Sequence, residues 1–177
     1  MKKILRILFF IILICYVLNI IRNNIILNNL KIKNQQINTI SEYSVEIIEN
    51  DTKISKITKK DNNLKIENYV SNIVDYYNSD TKKHISKNLK TQEITEDNIE
   101  IVSNLMELEW NNIFKTSLIN FIKMKKNNDK KIYEIQNYNN NSYIISEEGF
   151  VIEIREKNNV YKYEYNIGNI SDSEFDI

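Results

Sequence analysis

The chain of 177 residues contains no proline and no alanine, only two glycines and a single cysteine. One cysteine excludes both an intramolecular disulfide framework and a cysteine-rich zinc site. The missing residue types have GC-rich codons, whereas most of the abundant types, Ile, Asn, Lys and Tyr, have AT-rich codons. The composition therefore indicates an AT-rich genome, and we expect a bacterial one.

Acidic residues are missing altogether from the N-terminal part. Six of the 24 bases precede residue 34 and all 24 acids follow it, so the remainder of the chain carries a net charge of −6. Nucleic-acid binding requires a basic face that neutralises phosphates. The acidic remainder therefore argues against a nucleic-acid partner. The length of the chain suits one membrane segment followed by one modest domain.

The basic N-terminal part contains a long apolar run. Residues 7–21 are interrupted only by Asn19, and Ile4 and Leu5 extend the run past Arg6. A membrane-spanning helix needs about 20 apolar residues, which this segment provides if the Arg6 side chain reaches up to the interface. The run therefore predicts a transmembrane helix, with the buried core helix of a soluble protein as the alternative.

Two other processing routes fit the sequence less well than an anchor that is not cleaved. A cleaved signal peptide ends in small residues of the A-x-A type, and this chain has no alanine. A lipoprotein signal carries a small residue before its acylated cysteine, whereas Ile14 precedes Cys15. We predict an uncleaved signal anchor at residues 1–24, in which Cys15 is a small apolar residue of the helix.

The distribution of bases around the span predicts its orientation. Lys2, Lys3 and Arg6 crowd the short N-terminal flank, whereas Arg22 stands alone directly after the run. By the positive-inside rule we expect a cytoplasmic N-terminus in the cell membrane and an extracellular domain. A patchy apolar stripe predicts that residues 25–40 continue as a juxtamembrane helix or stalk, and residues 41–177 form the extracytoplasmic domain.

Alternating apolar and polar residues predict strands in two groups within the domain. About five short strands lie between "EYSVEIIEN" and "HISKN", and about four lie between "KKIYEIQNY" and "VYKYEYNI". The turns between them contain Asn, Asp and, once, Gly149, which can adopt a positive φ. Short connections make neighbouring strands antiparallel. The acidic ending "GNISDSEFDI" is expected to bring Phe175 and Ile177 back toward the sheet.

A helical pattern separates the two strand groups. Thr95 or Asp97 would cap its start, and Lys123, Lys125 and Lys126 suit its C-terminal end. Apolar residues at spacings of three and four give one face: Val102, Leu105, Met106, Trp110, Ile113, Phe114, Leu118, Phe121 and Ile122. The fold class is thus α+β, an N-terminal transmembrane helix followed by a curved antiparallel sheet, with a central helix or helix pair packed on it.

Three stretches resemble the family of the periplasmic lipoprotein carrier LolA. They are "IKNQQINTISEYSVEII", "DNNLKIENYVSNIVDYYNSDTKKHI" and the C-terminal "SYIISEEGFVIEIREKNNVYKYEYNIGNISDSEFDI". The resemblance implies a half-open antiparallel barrel with helices as a lid over an apolar cavity. The chain departs from that family in its tether, its short length and the absence of a proline near the tail.

The polar residues that often carry chemistry do not form a recognisable catalytic motif. His84 is the only histidine, and Cys15 lies within the predicted membrane helix, so no His-dependent nucleophile is in place. Glu147 and Glu148 fit a solvated turn better than a glycosidase pair. The acidic clusters "EITEDNIE" and "SDSEFDI" lack the spacing of an EF-type calcium loop. We expect no catalytic residue, no metal and no cofactor, and therefore a protein that is not an enzyme.

The aromatic residues give the one candidate ligand face. It consists of Trp110, Phe114, Phe121, Tyr161, Tyr163 and Tyr165. These side chains would either line a cavity for an acyl chain or fill the core of a small domain, and we favour the core. The predicted function is a membrane-anchored, non-enzymatic binding domain whose partner is another envelope protein or a lipid. The alternative is a lipid- or lipoprotein-binding module with an apolar half-barrel cavity.

Overall fold

A computed structural model describes residues 2–37, 39–98, 110, 113, 122–127, 130–136 and 141–176. One long helix, α1, comprises Lys2–Ile37. Eleven strands follow: β1 Glu42–Glu49, β2 Thr52–Lys60, β3 Asn63–Asn68, β4 Ile73–Asn78, β5 Lys83–Asn88, β6 Ile94–Asn98, β7 Lys123–Asn127, β8 Lys130–Gln136, β9 Ser142–Ser146, β10 Val151–Glu156 and β11 Asn159–Ile167. A short 3₁₀ helix, Asp172–Phe175, follows β11.

The strands form one open sheet in the order β6-β5-β4-β3-β2-β1-β11-β10-β9-β8-β7. Apart from β6 and β7, strands that follow one another in sequence are neighbours in the sheet. The pairing of β1 with β11 joins the two halves of the chain. The antiparallel sheet predicted from the short connections is confirmed. The strands β6 and β7 lie at its two edges.

The predicted boundaries of the central helix were wrong at both ends. Residues 94–98, where Thr95 or Asp97 was expected to cap the helix, form β6, and residues 123–127, expected to end it, form β7. The sheet therefore has six strands before the central segment and five after it, rather than about five and four. Of residues 99–121 the structure describes only Trp110 and Ile113, so most of the predicted central helix lies outside the described residues.

The chain divides into two compact units. The first contains Met1–Gln35 and Glu107–Val151, and the second contains Gln36–Met106 and Ile152–Ile177. The apolar core of the first unit consists of Leu27, Leu30, Trp110, Ile113, Ile122, Ile135 and Ile145. The core of the second is centred on Tyr43, Val45 and Ile57.

The hairpins of the second unit repeat with a period of ten residues. Asn68, Asn78 and Asn88 each end a strand, and the side-chain oxygen of each accepts hydrogen bonds from backbone N–H groups two or three residues later. Four residues after each asparagine, the backbone takes a positive φ of 56–61°. Such Asx turns are favoured because the asparagine side chain replaces a backbone carbonyl. The period places β3, β4 and β5 in matching register.

The helix α1 changes character near Asn19. Residues 2–18 are exposed on every side, whereas beyond them a single stripe is buried. The stripe contains Asn19, Asn23, Leu27, Leu30 and Asn34, at spacings of three and four residues. The interruption of the apolar run at Asn19 thus falls on the side that faces protein. The segment predicted as a juxtamembrane helix or stalk, residues 25–40, continues the same helix as far as Ile37.

The far end of this stripe is fixed by Asn34 and Gly149. The Nδ2 group of Asn34 donates a hydrogen bond of 3.0 Å to the Gly149 carbonyl, and its Oδ1 accepts one of 3.1 Å from Trp110 Nε1. Gly149 has a φ of +92°, and a Cβ atom there would lie 2.6 Å from the backbone nitrogen of Asn34. Only glycine lets the turn after β9 approach the helix backbone this closely.

Replacing Gly149 with alanine is expected to lower the free energy of unfolding by several kcal/mol, because overpacking against a backbone adds about 1–3 kcal/mol to the strain of a positive φ. Gly168→Ala is the matched control. Its φ is +77°, yet no atom lies within 4 Å of the added Cβ, so only the strain of about 1–2 kcal/mol remains. Urea unfolding of the detergent-solubilised chain, followed by circular dichroism, measures the free energy of unfolding of the two variants. Equal losses would contradict the close approach.

Replacing Asn34 with leucine removes the acceptor of the Trp110 N–H and the donor to the Gly149 carbonyl. We expect a loss of about 2–4 kcal/mol, because buried polar groups that lose their partners are costly. Trp110 is the only tryptophan, so its fluorescence follows the unfolding of this unit directly. Asn29→Leu, on the exposed side of α1, serves as control and should change the midpoint little.

Candidate functional site

The strands at the β6 edge bring together the polar side chains most suited to chemistry. In the ladder register, Tyr77 on β4 lies opposite His84 on β5, and His84 lies opposite Asp97 on β6. Asp75 is two residues before Tyr77 and therefore points to the same face of the sheet. The hairpin register thus places one histidine between two carboxylates from neighbouring strands.

Both ring nitrogens of His84 are engaged. Nδ1 lies 2.6 Å from an oxygen of Asp97, and Nε2 lies 3.1 Å from an oxygen of Asp75. The ring stacks on Tyr77 with 4.4 Å between the ring centroids and an angle of 9° between the planes. Two carboxylate partners favour the imidazolium form, in which both nitrogens donate hydrogen bonds. His84 therefore joins the edge strand β6 to β4 and β5, and a substrate would have to displace one of its partners.

The environment of His84 shifts its titration. Partial burial opposes the protonated form, but the hydrogen bonds with Asp75 and Asp97, reinforced by their negative charges, outweigh it, so the pKa of His84 is raised above its usual range near 6.5. A further ion pair joins β5 to β6, since Lys83 Nζ lies 2.9 Å from a carboxylate oxygen of Glu96. All five residues of β6 are exposed, so these ion pairs replace apolar burial in holding the strand.

The opposite face of the sheet receives the C-terminal tail. Lys60 donates to the Ile170 carbonyl at 3.0 Å and lies 2.6 Å from the Asp172 carboxylate. Lys56 and Lys65 lie 3.5 and 3.9 Å from the carboxylate of Glu174. These pairs hold the acidic tail across β2 and β3.

The end of the tail lies at a shallow pocket of about 210 Å³. Phe175 lines it together with residues of β3, β4 and β5, namely Asn63, Tyr76, Tyr77, Asn78, Lys83 and Ile85. The predicted return of Phe175 to the sheet is thus confirmed, whereas Ile177 lies outside the described residues. The chain's own C-terminus contributes an apolar side chain to the wall of this pocket.

The predicted aromatic ligand face is represented only in part. Tyr161, Tyr163 and Tyr165 alternate along β11 and pair with Glu49, Ile47 and Val45 of β1. Tyr163 and Tyr165 pack against the buried Tyr43, Val45 and Ile57 of the second unit, and burial raises the pKa of Tyr163.

The remaining members of that face are not in this group. Trp110 is 3% exposed in the core of the first unit, and its Nε1 is bound to Asn34. Phe114 and Phe121 lie outside the described residues. The tyrosines therefore form a partly buried face of their own, and the role of all six residues as a ligand face stays a prediction.

Sequence reasoning identified His84 but missed its two carboxylate partners. The available signal was the ten-residue spacing of Asn68, Asn78 and Asn88, which fixes the register and so aligns Tyr77 with His84. Glu147 and Glu148 lie in the turn after β9, as expected. Within the part of the chain that the structure describes, no group of three or more His, Cys, Asp and Glu residues is arranged to hold a metal ion.

The stability of the β4–β6 edge is expected to fall as the pH rises. Because the pKa of His84 is higher in the folded chain than in the unfolded chain, its contribution is fully present below the unfolded pKa of about 6.5 and is lost as the pH rises through the folded value. An NMR titration gives a single imidazole signal, since His84 is the only histidine. Its midpoint should lie above about 6.5, and His84→Gln should flatten the pH dependence of unfolding. A midpoint at or below that value would contradict the ion pairs.

Comparison with protein-family models and with curated proteins provides no relative from which a function could be transferred. No protein-family model matches the chain, and no curated protein matches it significantly. The contacts of the chain's own residues therefore carry the functional proposal.

Proposed function

We propose that the chain is a single-pass membrane protein whose helix α1 anchors a non-enzymatic binding domain outside the cell. The observation that carries this proposal is the division of α1 into a segment exposed on every side, residues 2–18, and a segment with one buried stripe. The helix is long and apolar enough to cross a membrane, with a mean hydropathy of 2.8 in its most apolar window. Only 6% of that window is buried, whereas the core helix of a soluble protein would be covered by its own fold.

The dimensions of the helix agree with this division. Its 36 residues extend for about 54 Å, and the hydrocarbon core of a bilayer takes up about 30 Å of that length. The rest corresponds to the turns that carry the buried stripe. Asn19 begins the stripe before the apolar run ends at Ile21, so the first unit would lie directly against the membrane surface.

The orientation and the type of activity rest on charge and on the state of His84. Lys2, Lys3 and Arg6 on the short N-terminal flank favour a cytoplasmic N-terminus. Both nitrogens of His84 are bound to carboxylates, which supports a structural role for this residue rather than general-base catalysis. The exposed edge strand β6 supports a binding role, because an open strand edge can accept a strand from a partner polypeptide.

The alternative, a lipid- or lipoprotein-binding module of the LolA-like type, rests on the tyrosine-rich face of β11. Tyr43, Val45 and Ile57 beside it are at most 6% exposed, and this burial favours a filled core over an open cavity. An acyl-chain mass retained by the intact protein in native mass spectrometry would instead favour the lipid-binding module.

The anchor is tested by placing charges inside and outside the proposed span. Ile11→Lys/Ile14→Lys should release the chain from membranes that resist alkaline carbonate, because each lysine near the centre costs about 2.5–3.5 kcal/mol. Ile25→Lys/Ile32→Lys is the matched control, since all four isoleucines are 53–58% exposed but the latter two lie past the apolar run. This control should stay in the membrane fraction.

Cleavage and topology are read from the same preparations. The intact mass of the membrane-bound protein should include residues 1–24, and protease added outside spheroplasts should digest the domain. A shortened mass would overturn the uncleaved anchor, and a protected domain would overturn the orientation. Equal retention of both lysine pairs would show that residues 11 and 14 do not lie in the bilayer.

A further inference from the structure

The exposed side of α1 carries a regular apolar repeat that the anchor alone does not require. Its members follow one another at alternating spacings of three and four residues: Ile4, Ile7, Ile11, Ile14, Leu18, Ile21, Ile25, Asn28 and Ile32. Eight of these nine are isoleucine or leucine, and all nine are exposed. An apolar repeat with this spacing over four heptads is the pattern of the inner positions of a coiled coil.

The repeat lies opposite the side of the helix that packs on the protein. Ile21, Ile25 and Ile32 are each two residues from a member of the buried stripe, which corresponds to about 200° around the helix axis. The nine residues therefore form one continuous face, here called the outer face, while Asn19, Asn23, Leu27, Leu30 and Asn34 occupy the other.

The part of the outer face that contact with lipid does not explain lies beyond the apolar run. Within residues 4–21 nearly every side chain is apolar, as lipid contact alone demands. After Arg22, however, Ile25 and Ile32 are 58% and 54% exposed. Every other exposed residue from Arg22 to Gln36 is Arg, Asn, Lys or Gln. Bilayer insertion does not account for two large apolar side chains on the exposed side of a helix that has left the hydrocarbon region.

We infer that the outer face binds further copies of the same chain, so that α1 forms a parallel helical bundle through the membrane and into the juxtamembrane turns. This inference rests on the proposed anchoring. Copies anchored by the same helix have the same orientation in the bilayer, so equivalent residues of their repeats meet at the same level. A heptad face is self-complementary in this arrangement, since each inner residue packs beside its counterpart.

The flanking residues agree with a second copy as the occupant. In a parallel pair, Asn24 of one helix would face Asn29 of the other, and Lys31 would face Gln36. Neither pairing brings like charges together. The one polar inner residue, Asn28, would meet its counterpart at the same level, where the two side-chain amides can donate and accept hydrogen bonds between the copies. Isoleucine at both kinds of inner position favours three helices over two in soluble coiled coils.

The experiment is disulfide mapping of the full-length chain in native membranes. In a Cys15→Ser background, single cysteines replace Ile14, Ile21, Ile25 or Ile32 on the outer face. Ile12 and Lys33 are the matched controls, because both are exposed but lie about 100° from the inner positions that precede them. After mild oxidation, outer-face cysteines should give roughly fivefold more crosslinked homodimer than the controls, because disulfides require Cβ atoms within about 4.5 Å.

A disruptive variant separates association from anchoring. Ile25→Lys/Ile32→Lys should reduce crosslinking at residue 21 by roughly tenfold, because two charges per helix enter the packed face, while the protein stays resistant to carbonate. Equal crosslinking around the helix in carbonate-resistant protein would overturn the self-association and leave the anchor standing. Crosslinks only to a protein of another mass would also overturn it, in favour of a different single-pass partner. Loss of the unmodified chain from the membrane fraction would instead overturn the proposed anchoring.

Discussion

The packing of one face of α1 against the other segment of the first unit, Glu107–Val151, is the constraint on which that unit depends. Asn34 is bound at once to Trp110 and to the Gly149 carbonyl, and Leu27 and Leu30 lie in the same core as Ile135 and Ile145. A helix held in this way cannot rotate about its axis without losing both hydrogen bonds. The contact therefore fixes the rotational orientation of α1 about its axis beyond Asn19. Because the helix is continuous, it also fixes the direction in which each side chain of residues 2–18 points.

The second unit is held by a different balance of forces. Toward β1 and β2, strands are stabilised by burial, as at Val45, which is 0% exposed. At the β6 edge that burial is absent, and charge takes over through His84 with Asp75 and Asp97 and through Lys83 with Glu96. Surface ion pairs of this kind contribute little individually, so the edge strand is expected to open more easily than the strands near β1. A strand edge that opens easily is also the one that can exchange its pairing for that of a partner.

The sequence was most informative where burial imposes alternation. The strands β1 to β5 and β8 to β11 were predicted close to their observed bounds, because their turns carry Asn, Asp or Gly149 and their faces alternate. The strand β6 was missed because "ITEDN" is fully exposed and has no apolar face, while its acids also match a helix cap. The strand β7 was missed for the same reason, since "KMKKN" resembles the basic end of a helix. His84 was noticed, but its partners depend on the register of two hairpins. That register follows from the ten-residue spacing of the turn asparagines and not from the alternation within any one strand.

The N-terminal apolar run also shows what a local sequence pattern cannot predict. Its hydropathy was sufficient to predict a span, but a segment that is apolar all around carries no information about its faces. Only the burial of Asn19, Asn23 and Leu27 distinguishes the side of the helix that packs on protein from the opposite side. On that opposite side, Ile25 and Ile32 are exposed apolar residues. In a parallel bundle built on the outer face, each copy's first unit would lie on the far side of its own helix, away from the bundle axis. The same packing that attaches α1 to its own core thus keeps that core clear of the bundle, so folding and self-association use separate faces of one helix.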